Sequence, residues 1–295
     1  MANKEADCRP KSKWLLPTAK YRVMLLGEGS QSAIFLQQMS RFGHLELGTS
    51  SNPSTAPKHF VADSSQAQCL QEAQAAFERA EFEPALRWFG RCLEHGPNYI
   101  PAWVGQVQAL LELGRPGEAK VWADKALERF VDQPELLALK GMALGRLGET
   151  ATALAFSDAA VARPGDSPTV WLGRADVLLA RGEKSAEHCF TRALQLAPGD
   201  VTLRWLAARI RAFWGQFAAA LKLVQDAVAL APDRFALWVD AGLYQAELGL
   251  SDPAIRSFHQ ALALQPGCRL AQNGLNALGD VSILQKIRGW WRRQA

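Results

Sequence analysis

Long apolar runs are missing. No window of 18 successive apolar residues occurs in the 295-residue chain, which excludes a membrane-spanning helix. Cysteine is sparse: Cys8, Cys69, Cys92, Cys189 and Cys268 are odd in number, scattered, and include no Cys-x-x-Cys pair. That spacing argues against both a disulfide framework and a zinc site. The histidines, His44, His59, His95, His188 and His259, stand one per element, with none paired at metal-ligand spacing. No serine sits in a nucleophile elbow, and the acids are dispersed along helix surfaces. No constellation here runs a reaction, so the expectation is a non-enzyme without cofactor or metal. The N-terminal stretch Met1–Lys20 carries charges but no apolar segment before a cleavage site. A reducing, cytoplasmic location is expected.

A strong charge of one sign is also missing from the body of the chain. The net charge is +4, but residues 1–65 hold 8 Lys/Arg against 5 Asp/Glu and residues 281–295 hold 4 against none. The middle, 66–280, holds 21 against 24. The basic character therefore belongs to the ends, and nucleic-acid binding along the body is not expected.

Residues 1–65 form a non-repeat segment. YRVMLL at 21–26 reads as a strand, GEGS at 27–30 as a turn, QSAIFLQQMSRF at 31–42 as a helix or second strand, and GTSSNPSTAP at 48–57 as a linker. A strand followed by a Gly-x-Gly turn invites a phosphate-loop reading, with backbone N–H groups facing an anion. The third glycine of a dinucleotide fingerprint falls at Ser32, the Lys-Ser/Thr of a phosphate loop is absent, and about 45 residues cannot supply several βα units. A small strand/helix appendage is the plainer reading, with a nucleotide- or phosphate-responsive regulator as an alternative.

What is present in quantity is a repeat. Six copies begin at 66, 100, 134, 168, 201 and 235; the fourth is 33 residues long and the others are 34. Small residues recur at position 8 (Ala73, Val107, Gly141, Ala175, Ala208, Gly242). A turn residue recurs at position 15 (Ala80, Gly114, Gly148, Gly182, Gly215, Gly249). Two small columns follow in the second half (Ala85, Ala119, Ala153, Ala186, Ala220, Ala254; then Cys92, Ala126, Ala160, Ala193, Ala227, Ala261), and Phe89, Phe190 and Phe258 lie between them. A proline closes each copy, near Pro97, Pro134, Pro164, Pro198, Pro232 and Pro266, and Trp103, Trp171 and Trp238 hold position 4. Spacings of four and three place these residues on one face of a helix. Two helices this short cannot bury such a face alone, so each copy needs neighbours. Gly at position 15 ends a first helix, and Ser167-Pro168 and Asp252-Pro253 read as N-cap followed by N1.

The period and its columns resemble the tetratricopeptide repeat (TPR) family over 203 of the 295 residues. Cys69 and Arg204 depart from the aromatic column, Trp205 is shifted by one place, Arg211 occupies an apolar column, and the fourth copy lacks a residue between its helices. The resemblance implies an all-α, right-handed superhelical solenoid of six antiparallel helix pairs over 66–280, closed by a capping helix at 269–279. It also implies a concave groove lined by the first helices. Carried over, that lining includes Gln74, Val104, Gln108, Leu139, Met142, Arg146, Leu172, Asp176, Trp205, Leu206, Arg209, Phe213, Val239, Asp240 and Leu243. It is mostly apolar with isolated charges, which suits a partner helix or peptide. The Lys and Asn that grip a chaperone's C-terminal carboxylate are replaced by Leu70 and Gln74. The apolar lining also admits the reading that the protein covers it itself.

The tail, VSILQKIRGWWRRQA, places Trp290 and Trp291 beside Arg292 and Arg293. It continues the cap, lies on an anionic membrane surface, or touches a partner or, on thinner grounds, nucleic acid. The reading carried forward is a scaffold or adaptor for a protein or peptide partner, with a membrane-surface adaptor as a further alternative. The sequence leaves oligomeric state open.

Overall fold

The computed structural model describes residues 64–279. The expected strand–turn–helix of the N-terminal segment, with its 27–30 turn, and the tail at 281–295 lie outside the described residues. Among the described residues there are helices and turns and no strand.

The first helix of each repeat is α1 (Ser64–Glu78), α3 (Ile100–Glu112), α5 (Pro134–Arg146), α7 (Pro168–Ala180), α9 (Val201–Phe213) and α11 (Phe235–Glu247). The second is α2 (Phe82–His95), α4 (Pro116–Arg129), α6 (Thr150–Val161), α8 (Ala186–Leu196), α10 (Phe217–Leu230) and α12 (Ser251–Leu264). A last helix, α13, covers residues 269–279. From the second repeat on, the first helix starts at the very residue where the repeat starts. Each helix packs on the next in chain order, and the first helices also touch one another along the inner side.

One turn is built six times. At the end of each first helix a residue with positive φ is followed by an N–H that reaches back five residues: Arg115 to the Leu110 carbonyl (3.0 Å), Glu149 to Leu144 (2.9 Å) and Gln216 to Arg211 (2.9 Å) are three of them. This double-bonded helix end needs the left-handed region, and glycines 114, 148, 182, 215 and 249 occupy it at φ between 70° and 89°. In the first repeat Ala80 holds the same place at φ 58°. An L-residue with a Cβ costs about 1–2 kcal/mol there. Glycine gives back part of that through the freer unfolded chain. Ala80→Gly is expected to stabilise the protein by about 0.5–1 kcal/mol, read as a raised urea midpoint at unchanged slope.

The same turn fixes where second helices begin. Asp252-Pro253 reads from sequence as a cap and first residue, but α12 starts at Ser251 with Leu250 as its cap. The three-residue connection, with Leu250 N–H on the Gln245 carbonyl at 2.8 Å, overrides the local signal. Ser167 does stand at the N-cap position of α7, with Pro168 the first helical residue, though its side chain makes no capping hydrogen bond. The fourth repeat absorbs its missing residue at the start of its second helix: α8 has 11 residues where α10 and α12 have 14.

Packing between helices uses the aromatic and small columns together. A Cβ added at Gly105 would come within 2.2 Å of the Phe89 ring, and one at Gly242 within 2.6 Å of Phe258. Gly274 in α13 faces Phe258 from the other side at 2.5 Å, so the glycine that weakens α13 as a helix is what lets it lie on α12. Both phenylalanines are buried.

The departures from the repeat pattern resolve as a set. Trp103 and Trp238 donate their indole N–H to the carbonyls of Pro97 (2.8 Å) and Pro232 (2.7 Å). In the fifth repeat Arg204 does the same job, donating to the Pro198 carbonyl at 2.5 Å. That frees Trp205, one place on, to turn into the interior, where it is fully buried. Arg211, in its apolar column, lies over the Phe190 ring at 4.0 Å and makes a two-pronged pair with Glu187 at 2.8 and 2.7 Å.

Candidate functional site

A linear stack of helix pairs leaves its two ends apart. Here the ends meet. Phe82 of the first repeat stacks on Trp205 of the fifth with ring centres 6.0 Å apart, and Phe77 meets the same indole edge-on at 6.3 Å. Arg234, just before α11, donates to the carbonyl of Glu78, 156 residues away, at 2.8 Å, and to Thr202 Oγ1 at 2.9 Å. Burial pushes the Arg234 guanidinium below its ordinary value, against the pull of Glu78, Asp200 and Asp240.

Behind these contacts the inner face carries two buried charge clusters. In one, Arg209 donates through Nε to the Glu112 carboxylate, 97 residues away, and through Nη1 to Asp240 Oδ2 at 3.0 Å. Asp240 Oδ2 also accepts the Trp205 indole N–H at 2.6 Å. In the other, Arg146 donates to Asp176 Oδ2 at 3.0 Å and to the Leu111 carbonyl at 2.9 Å, and Trp214 donates to Asp176 Oδ1 at 2.6 Å. The charged side chains of both clusters are nearly solvent-free. The clusters join all first helices from α3 to α11.

The residues expected to line an open groove therefore divide. Leu139, Met142, Leu172, Asp176, Trp205, Leu206, Arg209, Val239, Asp240 and Leu243 are buried. Phe213 is half-buried, with the nearly solvent-free Arg146 guanidinium over its ring at 4.4 Å. The resemblance implies a groove open through all six repeats. The structure buries most of the expected lining, and Phe77, Phe82, Trp205 and Arg209 meet across the inner face. Glu112 is the charged partner that sequence reasoning passed over. Its signal is the alternation of sign at inner positions of successive first helices: Arg146 then Asp176, Arg209 then Asp240.

An opening lies beside these residues. Gln74, Val104, Gln108 and Leu206 come together there with Phe77, Phe89 and Pro101 around a cleft of about 370 Å³, bounded by α1 and α3 on one side and the start of α9 on the other. Gln74 is exposed and Val104 and Gln108 are half-buried. Glu78, Asp200 and Thr202 complete the wall. Asp200 caps α9 through the Leu203 N–H at 2.9 Å. A cleft of this size, with an apolar floor and a few polar groups at its rim, has the character of a small binding site. Trp290, Trp291, Arg292 and Arg293 lie outside the described residues.

Among the described residues no group of three or more His, Cys, Asp or Glu side chains is placed to hold a metal. No helix among them is long and apolar enough to cross a membrane. The Cys92 thiol is buried beside Cys69, and burial pushes it up to about 12.

No family model matches the chain, and neither does any curated protein. Solved structures do. A tetratricopeptide repeat protein from Parabacteroides merdae is 18% identical, over 72% of this chain and 84% of that one, with a TM-score of 0.47. PilW, a type IV pilus biogenesis factor, is 20% identical over 72% of this chain and 100% of its own, with a TM-score of 0.44. YrrB, a TPR protein with an unusual peptide-binding site, is 19% identical over 63% of this chain and 96% of its own, with a TM-score of 0.37. At these values the chain's own geometry decides: a period of 34 residues, two helices per period, a glycine turn between them and small residues where axes approach. The chain folds as a TPR-type solenoid.

Within this TPR-type solenoid Asp176 makes a pH prediction. Burial pushes its carboxyl above the usual carboxylate range, opposed by Arg146 and by the Trp214 N–H. A carboxyl that holds its proton more tightly in the folded state gives a contribution fully present below the unfolded value, about 3.9. That contribution is lost as pH rises through the folded value. Asp176→Asn removes this titration and keeps a side-chain oxygen for Arg146 and the Trp214 N–H. The variant's stability is expected to fall less steeply than the wild type's from pH 4 upward, measured by urea unfolding across that range.

Proposed function

We propose that this protein is a binding scaffold that takes a short peptide segment of a partner protein in the cleft between α1, α3 and α9. The observation that carries this reading is a cleft that gathers side chains expected at the groove, beside an inner face whose other expected lining residues are mostly buried. Of the fifteen side chains expected to line the groove, four still meet around an opening, and the apolar Val104 and Leu206 are among them. A volume of about 370 Å³ suits two or three side chains of a peptide rather than a whole helix. Gln74→Trp fills the opening from an exposed position and leaves the core alone. Val104→Glu places a charge on its floor. Affinity capture with the wild type, with each variant, and with Trp238→Gln on the outer side tests the reading. Partners held by the cleft are lost from both cleft variants and kept by the outer one. Partners that persist in all three overturn the cleft as the binding surface.

A further inference from the structure

The geometry points to a cationic–apolar peptide as the occupant: a segment presenting a Lys or Arg directly beside an apolar side chain. This inference rests on the cleft being the binding surface. Its floor is apolar, from Phe77, Phe89, Val104 and Leu206, and the ionisable side chains on its wall are Glu78 and Asp200, both acids. The carboxylates stand on opposite sides, Glu78 at the end of α1 and Asp200 at the start of α9. Among the described residues no Lys or Arg lines the opening. Arg234 is held by the Glu78 carbonyl and Thr202, with its guanidinium over the Trp205 ring at 4.6 Å. It offsets one of the two charges, so the cleft keeps about one uncompensated negative charge over an apolar floor. An apolar side chain seated on that floor brings a neighbouring cation to the rim, where both carboxylates accept N–H donors. A peptide carboxylate in the same place meets two like charges. The site is also composite: its two sides come from the first two repeats and from the fifth, and it exists only because the stack closes.

The charges can be removed without touching the fold. Glu78 is exposed, so Glu78→Gln changes only the rim. Asp200→Asn keeps a side-chain oxygen for the α9 cap, because Asn caps as well as Asp. The probes are three capped hexapeptides of alternating residues, lysine with leucine, glutamine with leucine and glutamate with leucine, followed by fluorescence anisotropy at two salt concentrations. The lysine peptide is expected to bind about five- to tenfold tighter than the glutamine one, the size of one to two rim charge pairs, and tighter again than the glutamate one. In Glu78→Gln/Asp200→Asn that preference falls to about one, and the salt dependence goes with it. If all three peptides bind alike and Gln74→Trp abolishes them all, the cleft is the binding surface and the cationic preference is wrong. If none of the three binds the wild-type protein, the cleft reading itself fails, and this inference with it.

Discussion

Replacing Arg209 with Met is expected to lower stability by about 3–5 kcal/mol. The guanidinium lies between two carboxylates, Glu112 and Asp240, and all three side chains are at most 6% exposed. Removing the base leaves two acids buried without their common partner, the costly way to break a buried ion cluster. A second variant separates the cost of stranded charge from the worth of the cluster. With Arg209→Met, Glu112→Gln and Asp240→Asn together, this cluster carries no charge, and the amide oxygen that Asp240→Asn retains accepts the Trp205 N–H. Buried ion clusters replaced as a unit are often close to neutral. The triple variant is expected to recover most of the loss. Urea unfolding of the single and triple variants beside the wild type checks both statements. A triple variant as unstable as the single one would mean that the cluster holds the stack closed by more than charge balance.

The repeats were legible in the sequence because they are local. A helix pair is written in 34 residues, and the glycine, alanine and phenylalanine columns recur often enough to set first-helix starts to the residue from the second repeat on. Ala80 kept its place in the turn column even as the sole non-glycine. The closure was not legible, because it depends on the small rotation between successive repeats, accumulated over four or five of them. No residue pair near in sequence reports that sum. Arg209 and Asp240 read as isolated charges on an apolar groove, which is how charged side chains look when their partners are 31 and 97 residues away. The candidate site inherits this limit. Val104, Gln108 and Leu206 were placed on the inner face by the repeat pattern alone, but only the meeting of the first and fifth repeats makes them neighbours. Trp205 shows the two levels together. Its shift by one place is visible in the sequence, while the reason for it, a contact with Phe77 and Phe82, is visible only in the closed stack.

Trp205 supplies the second large expectation. Its side chain is fully buried, its N–H is bonded to Asp240, and rings from Phe77 and Phe82 and guanidinium groups from Arg209 and Arg234 surround it. Trp205→Ala is expected to cost about 3–5 kcal/mol, the range for deleting a large aromatic from a core. Trp205→Phe keeps a ring and loses the N–H bond, and should cost about half as much. Where the loss is felt matters more than its size. In an open solenoid each repeat contacts only its neighbours, so a change in the fifth repeat loosens the fourth and sixth and leaves the first untouched. In the closed stack α1 and α2 rest on the indole directly. Amide hydrogen exchange of Trp205→Ala should therefore quicken in α1 and α2 as much as in α9 and α11, while α5 and α6, on the far side of the stack, change least. Faster exchange confined to the fourth, fifth and sixth repeats would mean that the first repeat does not depend on the contact. With the stack open in that way, the cleft between α1, α3 and α9 would lose one of its two sides.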